Sequence, residues 1–300
     1  HRIDAGRSHI GRRRIVTIIF GLLSAFSYGY ADFVGALAAK RIRAVAATTY
    51  SFSVGLVVAL ILSMFVGADY SPQTIQTGIY AGVCSAVAIS CLYAALALGP
   101  ISIVSPLTAV VSAVIPVVFD VIAGQELSSF AVTAVVLILV AVVLVGFVPG
   151  DKVRLPSMPA FLYSIGAGLG FSGIFVFLDA TDSDSGLAAL VVMRVVGLIL
   201  LVGGLLILWL RTPKKEFIER LTDWKLAGLV FLAGVGDVLG NVTFLIATRS
   251  GALAIAAVLT ALYPVGTILL ARVFLKERIA VSQGAGIALA LGACALLAVG

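Results

Sequence analysis

The chain has 300 residues, of which 61% are hydrophobic and only 11% are charged, against roughly 25% charged in ordinary soluble domains. That composition cannot cover a soluble surface with polar groups, and it is too apolar for a disordered chain; it calls for several membrane spans. The formal charge of +6 makes no case for nucleic acid as a partner, because Lys and Arg sit in short loops and at the N-terminus, where they act as topology signals.

Residues 1–14 read HRIDAGRSHIGRRR. This reads as a charged tail rather than a cleavable signal, since the apolar run behind it is span-length and offers no clear cleavage site. Ten candidate spans follow, at 15–38, 44–67, 74–98, 101–123, 129–148, 159–180, 186–210, 226–248, 252–274 and 280–299. Residues 70–119 carry no charge and are too long for one crossing of about 20 residues. Gly99-Pro100 is the natural break, because proline disfavours helix at the residue before it. Asp69-Tyr-Ser-Pro72, Gly124-Gln-Glu-Leu-Ser-Ser129 and the stretches 149–156 and 179–185 mark further connections. The longest, 211–225, is expected to form a short interfacial helix anchored by Trp209 and Trp224. The apolar runs are continuous rather than alternating, which favours helices over a barrel of strands.

The chain also repeats itself. Tyr93 to Thr108 parallels Phe244 to Leu259, and the same offset of 151 residues carries Glu126 onto Glu277. Phe26-Ser27 likewise parallels Phe171-Ser172. Five spans per half is an odd number, so the second half must enter from the opposite side. The expected fold is an all-α integral membrane protein of ten transmembrane helices in two inverted five-helix repeats. The expected divisions are the tail 1–14, a first repeat 15–150 and a second repeat 151–300.

Few residues are candidates for chemistry. The only histidines, His1 and His9, lie in the tail, and Cys84, Cys91 and Cys294 have neither disulfide nor metal-ligand spacing. No metal site, cofactor or catalytic residue is expected. Ionisable groups at membrane depth are costly and face a cavity or a partner. Asp237, in Gly234-Val-Gly-Asp-Val-Leu-Gly-Asn241, lies near the middle of span 8 with Asn241 one turn on; a polar clamp between helices is the competing role. Asp32 lies in span 1, six residues from its end. Arg194 lies a third of the way into span 7 and is expected to pair with a carboxylate or snorkel. Tyr28, Tyr30, Ser90, Tyr93, Tyr163 and Ser172 are weaker lining candidates. Tyr263, with Thr260 one turn earlier, accompanies Pro264, and Pro116 lies in span 4; either proline can kink its helix, as a hinge or as static shape. Asp120, Glu126, Arg272 and Glu277 lie near span ends and read as anchors or loop salt bridges. Asp179, Asp182 and Asp184 form an acidic loop.

Leu259-Thr-Ala-Leu-Tyr-Pro-Val-Gly-Thr-Ile-Leu-Leu-Ala-Arg-Val-Phe-Leu-Lys-Glu-Arg278 closely resembles the end of an EamA repeat. Ser105 to Leu127 resembles it less closely, with Gly124-Gln-Glu-Leu127 where the family often has Gly-Glu-Arg. These repeats belong to the drug/metabolite transporter superfamily, and the resemblance covers essentially the whole chain. It implies a multi-pass permease in the plasma or inner membrane, commonly an exporter, with a cavity lined by spans 1, 3, 4, 6, 8 and 9 and without an ATPase. It also implies cytoplasmic termini. The positive-inside rule disagrees, since the terminal side holds six Lys and Arg and the other side twelve.

The expected activity is secondary-active transport, as a permease or exporter, of small metabolites or drug-like solutes by alternating access. Asp237, in a mostly apolar cavity, would trade a proton for substrate. A facilitative exchanger or uptake carrier is the alternative within the class. A non-transporting scaffold or receptor, or an intramembrane enzyme, is the alternative outside it; the enzyme lacks an internal histidine and an adjacent carboxylate pair. The partners expected are the lipid bilayer and an amino-acid-like, amine or other small solute, with the chain acting as a monomer or homodimer. Two deep aspartates against one deep arginine favour cationic or zwitterionic cargo over phosphates.

Overall fold

The computed structural model describes residues 2–39, 44–98, 101–146, 157–211, 224–274 and 279–299. Among them are eleven α-helices and no strand. They are α1 (Arg2–Ala39), α2 (Ala44–Val66), α3 (Pro72–Leu98), α4 (Ile101–Ile122), α5 (Ser129–Gly146), α6 (Met158–Asp179), α7 (Ala188–Arg211), α8 (Trp224–Ser250), α9 (Leu253–Thr260), α10 (Tyr263–Phe274) and α11 (Val281–Val299). A lipid environment dictates this menu, because every backbone N–H and C=O must find a partner within its own segment. Counting α9 and α10 as one crossing, nine stretches are long and apolar enough to span a bilayer, and Val281–Leu297 within α11 is a shorter tenth. The protein is a multi-pass integral membrane protein.

The spans fall close to where the hydropathy places them. Two differences stand out. At the N-terminus the charged residues are helical: α1 begins at Arg2 and runs without a break into the first span. Span 9 is interrupted at Ala261–Leu262, whereas α4, its counterpart in the first repeat, is continuous despite Pro106 and Pro116. The interfacial helix expected over 211–225 lies mostly outside the described residues. Trp209 and Trp224, which flank it, are both exposed.

The packing has the symmetry of an inverted repeat. Helix α1 of the first half lies against α8, α9 and α10 of the second, and α6 of the second half lies against α3 and α4 of the first. The pairing of α2 with α8 is matched by that of α7 with α3, while α2–α7 and α5–α11 are each their own counterpart. Without a hydrophobic force between helices in lipid, such contacts depend on small residues that let backbones approach. A methyl group at Gly29 would lie 2.5 Å from the Tyr263 carbonyl oxygen, and one at Gly170 would lie 2.7 Å from the Ala88 nitrogen. Gly29 thus opens the contact between α1 and α10, and Gly170 the contact between α6 and α3.

Successive spans reverse direction, so the connections after α2, α4, α6 and α8 lie on the side of the termini. That end is tightly tied. Ala68 bridges to Gly186, with Leu187 N donating to Gly67 O at 3.0 Å and Asp69 N to Ser185 O at 3.1 Å. Arg249, at the end of α8, donates to Gly186 O at 3.0 Å, Ser185 Oγ at 2.8 Å and Asp182 O at 3.2 Å. Thr248 donates to the Asp179 carboxylate. Asp120 Oδ2, on the last turn of α4, accepts the Ala254 N–H at 2.7 Å and so caps the start of α9.

Candidate functional site

Three consecutive turns of α1 supply one wall of an internal space. Ser24, Tyr28 and Asp32 are spaced four residues apart and share a face. Ser24 Oγ donates to Gly240 O of α8 at 2.8 Å, which fixes that face toward α8. The Tyr28 ring packs on Gly240, where a methyl group would come within 2.8 Å of the ring. Asp32 is solvent-accessible although it shares the α1 face that Ser24 fixes toward α8. A side chain on a face turned toward another helix yet reachable faces an internal space rather than lipid. Tyr28 and Tyr263 are likewise partly accessible.

The second wall carries an ion pair. Arg194 Nη2 of α7 contacts Asp237 Oδ2 of α8; the arginine side chain is 0% exposed and the aspartate 24%. The guanidinium carbon lies 4.6 Å from the centre of the Phe52 ring of α2, a cation–π distance. Gly55, one turn from Phe52, leaves the room: a methyl group there would stand 3.2 Å from Arg194 Nη1. No hydrogen-bond acceptor among the described residues meets Nε or Nη1. A charge so deep is tolerated because a carboxylate balances it and an aromatic face shields it.

These groups act on one another. Asp32 lies within electrostatic reach of Asp237 and of Tyr263, and Tyr28 within reach of Asp237, Arg194 and Asp32. Tyr263 opens α10 and donates its hydroxyl to Ser105 O of α4 at 3.3 Å, tying the interrupted span to its symmetry mate. Thr267 Oγ1, one turn on, donates to Gly29 O at 3.1 Å. Pro264 is the second residue of α10, where an N–H would have no intrahelical partner to lose. Just before the break, Thr260 is fully buried and its Oγ1 meets no partner among the described residues.

The structure therefore gathers Tyr28, Asp32, Arg194, Asp237 and Tyr263, with Thr260 and Pro264 at the break in span 9. It does not gather the others. Asn241 is buried and donates to the Asp237 backbone carbonyl at 2.8 Å, so it serves its own helix rather than the carboxylate. Ser172 is buried and donates to Gly168 O at 2.9 Å, with Val111 O and Ser112 O also in range, which makes it a link between α6 and α4. Ser90 and Tyr163 are exposed, and Tyr30 packs on Gly236. Pro116 is buried within an unbroken α4. The Tyr93 side chain and Glu277 lie outside the described residues. Among the described residues no group of His, Cys, Asp and Glu could hold a metal.

Sequence reasoning missed Phe52 and Gly55, which carry no signal of their own in an apolar helix. It also assigned Asp120 to an anchor or loop salt bridge, whereas its carboxylate caps a helix 134 positions away. The one available clue was that a lone deep arginine requires a counter-charge, and Asp237 was the deepest candidate.

Nine long apolar stretches and a shorter tenth among the described residues, packed as two inverted repeats, have the architecture of a multi-pass membrane transporter of the drug/metabolite type. The chain belongs to the EamA-like transporter family, whose pattern it matches twice, over residues 15–147 and 158–299. A solved structure titled only "Crystal structure of protein" superposes with a TM-score of 0.74 at 16% identity, covering 93% of this chain and 95% of the other. That likeness is one of fold. No curated protein matches the sequence. Members of the EamA family are transporters rather than enzymes.

Proposed function

We propose that the protein is a secondary-active permease that moves a small metabolite or drug-like solute by alternating access, with its site at Tyr28, Asp32, Asp237 and Tyr263. The observation that carries this reading is the position of an accessible carboxylate, Asp32, beside a balanced ion pair. The cluster is built from α1 and α2 of the first half and α7, α8 and α10 of the second. Inverted-repeat transporters place their sites in this way, between halves that rock around a fixed point.

The ion pair redistributes the roles expected from sequence. Asp237 is held by Arg194, so its charge is already used. Asp32 has no cation beside it among the described residues, so it is the carboxylate free to exchange a proton for substrate. The ties among 67–69, 180–187 and Arg249 close the terminal side in this conformation; alternating access requires them to part. The break in span 9 at Ala261–Leu262 supplies a place for the bend, with Pro264 fixing where α10 restarts.

Reconstituted vesicles test the reading. A panel of small labelled solutes should include at least one that enters protein-containing vesicles faster than empty ones, and an imposed pH gradient should drive its accumulation. Asp32→Asn should retain binding-independent stability and lose the gradient dependence. A facilitative exchanger would show counterflow without any response to the gradient. If no solute in a broad panel moves, the transporter assignment of this chain fails.

A further inference from the structure

Taking the cluster as the transport site, we infer that it takes a monovalent organic cation and discriminates against both anions and zwitterions. The geometry separates these classes. The site holds two carboxyl side chains, Asp32 and Asp237, and one guanidinium, Arg194, which is spent on Asp237, so deprotonated Asp32 is a negative charge without a partner among the described residues. Asp32 is also the accessible member. An anion would meet that charge head-on in a low-dielectric setting, where like charges are most costly.

A zwitterion needs a cationic group to receive its carboxylate, and among the described residues Arg194 is the one cation in the cluster. Its side chain is 0% exposed. The guanidinium is covered by the Phe52 ring at 4.6 Å, by Gly55 at its Nη1 edge and by the Asp237 carboxylate at Nη2. A substrate carboxylate has no path to it. Arg194 thus serves as a positioning residue that holds Asp237 and consumes its charge, leaving Asp32 to carry recognition.

The flanking groups fit an ammonium head. Tyr28 stands one turn before Asp32 on the same face of α1, and Tyr263 stands within electrostatic reach on α10. Tyrosine rings attract a cation to their faces, while the Tyr263 hydroxyl is turned away to Ser105 O. Protonation of Asp32 would remove the negative charge and with it the attraction. The groups that face Asp32 are Asp237 from α8, Tyr263 from α10 and Tyr28 from α1 itself, with Arg194 acting through Asp237. Cation affinity should therefore fall as the pH is lowered.

A matched set of four phenyl compounds tests the inference on the full chain in lipid nanodiscs: benzylamine as the cation, phenylglycine as the zwitterion, benzoate as the anion and benzyl alcohol as the neutral form. Binding is read by calorimetry and by the shift in thermal unfolding. Benzylamine should bind about tenfold or more tightly than the other three, a difference of about 1.4 kcal/mol. Asp32→Asn should lower benzylamine to the level of benzyl alcohol while melting at or above the wild-type temperature. Phe52→Leu, which loosens the cover over Arg194, should raise phenylglycine binding above its wild-type level. Equal or better binding of phenylglycine or benzoate overturns the inference, as does a preference that survives in Asp32→Asn or no preference among the four. The transport reading fails separately. If benzylamine binds through Asp32 but wild-type vesicles move it no faster than empty ones, the cation site stands and the transporter falls. If vesicles move phenylglycine or benzoate and not benzylamine, transport stands and the cation class falls.

Discussion

Arg194 and Arg249 belong to the same repeat and to helices that follow one another, yet the molecule handles them in opposite ways. Arg249, at the terminal end of α8, spreads its charge over neutral acceptors: the carbonyls of Gly186 and Asp182 and the hydroxyl of Ser185. Arg194, inside its span, has one carboxylate and one aromatic face, and its Nε and Nη1 meet no acceptor among the described residues. Guanidinium contacts to carbonyls and hydroxyls make a staple that holds the loop, with Asp184 as the nearby opposing charge. A guanidinium–carboxylate pair does something else: it sets the charge count of a space. The comparison separates an end of the protein that is fastened from a middle whose electrostatics are poised.

Breaking the Arg194–Asp237 pair should have the largest effect. Arg194→Gln leaves Asp237 as an uncompensated carboxylate in the membrane interior. Removing one partner of a buried pair costs about 3–5 kcal/mol, and the 24% exposure of Asp237 places this case toward the lower end. The thermal unfolding temperature in nanodiscs should drop sharply. Asp237→Asn alone should also destabilise, since it strands the guanidinium under Phe52. The double variant Arg194→Gln/Asp237→Asn should recover most of the loss, because both charges leave together. A double-mutant cycle that returned no coupling between the two positions would sink the pair as the organising contact.

The fastened end should respond less and differently. Arg249→Ala removes several hydrogen bonds from a charged donor, yet Arg249 is only half-buried and water can take over some of its acceptors. The expected cost is about 1–2 kcal/mol. The readout that distinguishes it is local: protease cleavage within 180–187 should accelerate, while the binding preference of the Asp32 site stays unchanged. If Arg249→Ala altered ligand discrimination as strongly as Arg194→Gln, the two regions would not be separable in the way their hydrogen bonding implies.

Sequence alone carried the architecture further than the site. Span boundaries followed from hydropathy because lipid leaves the backbone no alternative to helices, with α3 ending at Leu98 and α4 beginning at Ile101. The list of deep charges was short for the same reason, and the three that the proposed site uses, Asp32, Arg194 and Asp237, were all on it. Their pairing was not legible. Arg194 and Asp237 are separated by a connection whose length says nothing about which helix faces meet, and Phe52 looks like any other apolar residue until α2 is packed against α7. The prolines were equally silent. Pro106 and Pro116 sit in a continuous α4, while span 9 is broken just before Pro264, since neighbouring groups decide whether a helix tolerates the lost hydrogen bond. Asp120 was assigned to an anchor or loop salt bridge because sequence places it near a span end and gives no hint of Ala254.

That residue yields the smallest effect and the finest test of the fastened end. Asp120 Oδ2 accepts the Ala254 N–H at 2.7 Å, at the second residue of α9. Two contributions are mixed there: the hydrogen bond, and the attraction of a negative charge to the positive end of a helix. Asp120→Asn keeps an oxygen acceptor in place and removes only the charge, so it should cost about 0.3–1 kcal/mol. Asp120→Ala also leaves a buried N–H without its partner and should cost about 1 kcal/mol more. Amide exchange at Ala254 is the sensitive measurement, because α9 is only eight residues long and its first turn depends on α4 for closure. Exchange that rose in Asp120→Ala but not in Asp120→Asn would assign the role to hydrogen bonding. An equal rise in both would assign it to charge, and would make electrostatics rather than hydrogen-bond geometry what ties α4 of the first repeat to α9 of the second.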